Sequence, residues 1–135
     1  HTIDLFCCAH AGIVTALPEP TSVENAYLFM RTTLMRLISH SAHRLGIPDD
    51  GASIVSFLTN EQPGAPSRSY TEKLRLLYQS NPASVGAIAA VLSGRLLGIM
   101  INQTRSQADI DIGKAMEMAA QRYFDYRRPQ SLLES

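Results

Sequence analysis

The segment 83–101 limits what this chain can fold into more than any other stretch. It carries Val85, Ile88, Val91, Leu92, Leu96, Leu97, Ile99, Met100 and Ile101, interrupted mainly by small residues and by one charge, Arg95. Read as a single helix it is apolar almost all the way round, and such a helix is buried on every side or lies in a membrane. Gly86, Ala90, Gly94 and Gly98 fall four apart, so on that helix they form a slowly winding ridge that another helix can approach closely. The length suits a membrane span. Against a span, Arg95 lies near the middle, at about 2.5–3.5 kcal/mol on insertion scales, and no aromatic belt flanks the segment. The expectation is therefore the buried central helix of an all-α bundle of four to five main helices.

The neighbours of this segment carry helix signals of their own. Thr21-Ser22-Val23-Glu24 has the form of a capping box. After it, Val23, Ala26, Tyr27, Met30, Leu34, Leu37, Ile38 and Leu45 recur at three- and four-residue steps, until Gly46 and Ile47-Pro48 stop the pattern. A helix over about 22–45 is expected. Ser69-Tyr70-Thr71-Glu72 is a second box leading to Gln79, and Asn81-Pro82 offers an Asn cap with proline at the first helical position. Ser106-Gln107-Ala108-Asp109 opens a last helix, expected to reach about Arg128 before Pro129.

Two stretches resist assignment by period. Residues 1–17 admit a strand through Ile3-Asp4-Leu5-Phe6-Cys7-Cys8 or a helix with Leu5, Phe6, Ala9 and Ile13 on one side, so a minor N-terminal strand stays open. Residues 52–59 fit a helix capped by Asp49 or a strand through Ile54-Val55-Ser56-Phe57-Leu58, with the neighbours favouring helix. Segments 3–8 and 52–58 would then be the places for a strand pair. Residues 60–68, rich in proline and without periodicity, read as a loop inside a single helical domain spanning 1–135.

Composition narrows the function classes. Twelve basic and twelve acidic side chains balance, so no overall field draws the chain to nucleic acid or an anionic membrane. Dividing at residue 67 gives only three bases against six acids, then nine against six. Hydrophobic residues make up 45% and charged ones 18%, the latter below the ~25% of an average domain, which excludes intrinsic disorder and leaves apolar surface to spare. The only cysteines, Cys7 and Cys8, are adjacent, which excludes a disulfide scaffold and favours a reducing, cytoplasmic setting. Leu5 to Gly12 has some signal-peptide character, but no basic residue precedes it and Asp4 interrupts it. The start at His1 rather than Met suggests a processed or truncated start or a tag remnant.

Catalytic motifs are missing: there is no Gly-rich phosphate loop, no Gly-x-Ser-x-Gly and no His-Glu-x-x-His. His40 and His43 are three apart, and with Cys7, Cys8 or His10 they have the ligand types of a zinc site. About 100° per residue places both on the polar side of their helix, so they read as solvated and no metal is expected. Ile88 to Gly94 looks like the start of a helix-turn-helix, yet 95–101 offers one Arg and otherwise apolar side chains, too little to read bases. No cofactor and no nucleic-acid partner is implied.

Surplus apolar surface is the main functional hint. Leu28, Phe29 and Met35 lie off the inward stripe of helix 22–45 and are the expected interface residues. The leading expectation is a non-enzymatic interaction or regulatory domain, in its simplest form a homodimer, because a surplus patch can pair with its own copy across a two-fold axis. The alternative is a small-ligand sensor or small enzyme with a pocket between helices, for which Arg95, Tyr78 and Tyr123 are the candidate binding residues. Arg95 cannot shed its proton to escape burial, so it is expected to pair with Asp109, Asp111 or Glu117, or else to hold an anion or reach out to water. Arg95→Leu would then be milder than loss of the acid.

Overall fold

The computed structural model describes residues 2–60, 63–64 and 70–124. Among these the chain is mostly helical, with α1 Thr2–Cys8, β1 Ala11–Ala16, α2 Pro20–Arg44, α3 Pro48–Thr59, α4 Tyr70–Ser80, α5 Pro82–Leu92, β2 Leu96–Ile101 and α6 Gln107–Phe124. Most of the loop expected over 60–68, and α6's expected continuation to Arg128, lie outside the described residues.

The expected central helix is corrected. Segment 83–101 divides into α5 and β2, and Ser93-Gly94-Arg95 makes the break. Ser93 donates its amide to the carbonyl of Ala89 and its hydroxyl to that of Ala90, which closes the last turn of α5. In β2 the period changes to two: Leu96 and Met100 are exposed, whereas Ile99 and Ile101 pack against the core. Both faces of β2 are apolar in sequence, so the alternation is invisible until one face is covered. The ridge of small residues therefore does not exist as such. Gly86 remains on α5, where an added Cβ would touch Tyr78 of α4, while Gly98 sits on β2 beside Ile13.

β2 pairs in parallel with β1, in a register that sets Ala11 opposite Leu96, Ile13 opposite Gly98 and Thr15 opposite Met100. The strand pair therefore lies at 11–16 and 96–101, whereas segments 3–8 and 52–58, the expected places for it, lie wholly within α1 and α3. A parallel pair needs a long crossover, and here the chain from α2 through α5 supplies it.

The described residues form two compact units, 1–36 with 95–124 and 37–94, so the boundary falls inside α2. In the first unit Val14, Ala16, Ala26, Met30 and Met116 form the buried centre, with Phe6, Phe29, Ile99, Ile101 and Ile112 packed around it. Gly12 lies close under the Phe6 ring, and a Cβ at that position would fall inside 3.0 Å of it, so the ring would have to shift. That ring meets Phe29 edge to face, with centroids 5.2 Å apart and planes at 84°. In the second unit the buried apolar residues are Leu37, Ile38, Ala42, Ile54, Leu58, Leu74, Ile88, Ala89 and Leu92.

Several terminus signals act as the residues suggest. Gly46, at φ 73°, donates to the His43 carbonyl, and Ile47 donates to that of Ala42, so α2 ends in a Schellman turn. Asn81 caps α5 by accepting from the Ser84 amide at 3.3 Å, with Pro82 at the first helical position. Ser106 and Asp109 form a reciprocal box, each accepting the other's amide. Two starts differ from expectation. α2 begins at Pro20, so Thr21 lies within the helix and Ser22 accepts from the Leu17 amide instead. α3 begins at Pro48, so Asp49 is no cap, and the carboxylate of Asp50 takes hydrogen bonds from Ser84 Oγ and Asn81 Nδ2.

Candidate functional site

Among the described residues the strand pair leaves both a face and an edge uncovered. On one side Val14 and Ala16 enter the core. On the other, Ile13 is 64% exposed, Leu96 62% and Met100 53%, with Gly98 between them. Parallel strands are ordinarily covered on both faces, so this apolar face is an anomaly in need of a cause.

The edge follows from the hydrogen-bond phase. His10 and Ala16 give their carbonyls to the amides of Leu96 and Asn102, and alternation along a parallel strand turns Gly12 and Val14 toward β2 as well. Ala11, Ile13 and Thr15 therefore direct their N–H and C=O groups away from β2, and among the described residues nothing meets them. No charged residue and no proline blunts this edge.

Beside it runs an open groove of about 410 Å³ between β1 and the first turns of α2. Its polar lining comes from Thr15, Glu19, Thr21, Ser22 and Asn25, and its apolar lining from Val14, Ala26 and Phe29. Leu28, one turn beyond Asn25 on α2, is 63% exposed.

The residues singled out from sequence are distributed as follows. Leu28 is exposed as expected, Phe29 is committed to Phe6 and the groove wall, and Met35 is half-buried. Arg95 belongs to the first unit and half-buried Tyr78 to the second, while the side chain of Tyr123 lies outside the described residues. His40 and His43 are exposed, and among the described residues no cluster of metal-ligating side chains occurs. Among them, too, no helix is long and apolar enough to cross a membrane. What sequence reading missed is β1, whose alternation is masked because Gly12 and Ala16 carry little side chain on the buried face.

The expected Arg95–carboxylate pair is also corrected. Arg95 donates through Nη1 to the carbonyls of Cys7 and Ala9, the latter at 2.7 Å, so it caps the carboxyl end of α1, where a cation suits the free carbonyls. Asp109 is occupied by the amides of Arg105 and Ser106, Asp111 accepts from Gln107, and the Glu117 side chain lies outside the described residues. Arg36 meets Asp4 at 3.3 Å on the surface, a pair worth about 0–1 kcal/mol.

Cys7, buried between these groups, has its thiol pushed up by desolvation, which the Arg95 charge partly offsets. The unfolded thiol ionises first, from ~8.5, so the folded chain holds more protons above that point and loses stability as pH rises further. Urea midpoints measured from pH 8 to 10 should fall less steeply for Cys7→Ala than for the unchanged chain.

No family model, curated protein or solved structure matches the chain.

Proposed function

We propose that this chain is a non-enzymatic association domain that acts by self-association through the strand pair of its first unit. The observation that carries the reading is a sheet of two uncharged strands that, among the described residues, leaves an apolar face of Ile13, Leu96 and Met100 beside an unpaired edge. Exposed strand edges of this kind are templates for pairing with another chain unless something blunts them. The neutral net charge adds no long-range repulsion between copies. The free cysteines Cys7 and Cys8 fit a reducing, cytoplasmic setting. Light scattering across a concentration series should give a mass rising from one chain toward two. A mass of one chain up to high micromolar concentration removes the reading.

A second reading, a small polar ligand in the β1–α2 groove, draws on its volume and its hydroxyl, amide and carboxylate lining. A thermal shift from a panel of small polyhydroxylated or cationic metabolites would favour it.

A further inference from the structure

We infer that the partner at the free edge of β1 is a second copy of β1, running antiparallel, with Ile13 on the two-fold axis. The inference rests on the self-association reading and specifies its geometry. The outward-facing residues are Ala11, Ile13 and Thr15, spaced by two and centred on Ile13. A two-fold axis through Ile13 sets it opposite its own copy, Ala11 opposite Thr15 of the second copy, and Thr15 opposite Ala11. These are the positions that exchange both N–H and C=O bonds in an antiparallel ladder. Every unpaired group of the edge then finds a partner, and the sheet becomes four strands in the order β2, β1, β1 and β2 of the two copies.

Side chains and charge agree with this register. All of the facing residues Ala11, Ile13 and Thr15 lie on the open face, so the two Ile13 side chains meet there next to Leu96 and Met100. The second copy's exposed His10 falls across from Ala16, three residues before the exposed Glu19, so the antiparallel pairing brings a basic residue toward an acidic one at each end. β1 itself carries no charge to oppose its copy. The groove leaves room beside the edge, and Leu28 lies on the same helix as its polar lining.

The same axis makes Gly12 and Val14 of opposite copies a pair without hydrogen bonds, with Cα atoms about 4.5 Å apart. The test is an isotope-filtered NOE experiment on a mixture of labelled and unlabelled full-length chain, with the mass followed by sedimentation. The expected result is an intermolecular Hα–Hα cross-peak between Gly12 and Val14, with an Ile13 amide that exchanges more slowly as the dimer fraction rises. Ile13→Pro, which removes the amide on the axis at an edge position where proline is tolerated, should weaken the dimer at least about tenfold, while Ile13→Val should not. A dimer without the Gly12–Val14 cross-peak, and with a freely exchanging Ile13 amide, overturns the edge pairing and leaves self-association standing. A chain that stays single at every concentration overturns both.

Discussion

Gly51→Val should destabilise the chain by about 1–3 kcal/mol, the range for overpacking a well-filled interior. Gly51 is buried in α3, and a Cβ there would fall well inside 3.0 Å of the Ala42 Cβ on α2. The Ala42 Cβ is fixed to its backbone and cannot rotate aside, so α2 and α3 have to part. Even Gly51→Ala should be unfavourable, although the same change in an exposed helix gains roughly 0.8–1.0 kcal/mol. Urea unfolding of Gly51→Ala, Ala42→Gly and the double variant decides the point. Ala42→Gly should rescue much of the loss, since it removes the colliding atom. A stabilised Gly51→Ala single variant would contradict the close approach of the two helices.

Arg95→Leu should cost about 1.5–3 kcal/mol, the range for hydrogen bonds to a charged group, discounted toward its lower end because Arg95 is half-exposed. The substitution removes the donor to the carbonyls of Cys7 and Ala9 at the end of α1, a helix of 7 residues whose last turn is otherwise held by the packing of Phe6 and Cys7. Loss of Arg95 also removes the cation that lowers the Cys7 thiol, so the thiol should ionise at still higher pH than before. Arg95→Lys should recover part of the stability and part of the shift, because an ammonium can still donate to carbonyls but lacks the planar fork. Denaturation midpoints together with a thiol titration separate the two effects. An Arg95→Leu chain as stable as the unchanged one would remove the capping role.

The contrast between α2 and β2 explains how much of this was legible in the residues. α2 has a stripe of apolar positions at 3.6-residue spacing and a glycine in the left-handed region at its end, and both are local signals. Asn81-Pro82 and the Ser106–Asp109 box are local too, and the side chains named from sequence make the hydrogen bonds. β2 is different because its pairing partner is far away in sequence. Leu96 to Ile101 is apolar at every position except Gly98, so a strand with one open face and a buried helical turn look alike until β1 is in place. The exposed face of Ile13, Leu96 and Met100 was hidden for the same reason. The partners of Arg95 were not legible, because backbone carbonyls at and just beyond the end of α1, 88 and 86 residues earlier, carry no sequence signature. Leu28 was legible as surplus apolar surface, but the free edge of β1 was not.

Sedimentation equilibrium of the unchanged chain beside Ile13→Lys reads the self-association through β1. Ile13 is 64% exposed, so a lysine there leaves the core intact, yet pairing through β1 would set two ammonium groups opposite each other, which disfavours a strand pair. The expected masses are close to two chains for the unchanged protein and one chain for Ile13→Lys at the same concentration, with equal unfolding midpoints for the isolated monomers. An unchanged protein that remains a single chain, or an Ile13→Lys variant that associates as strongly, would contradict it.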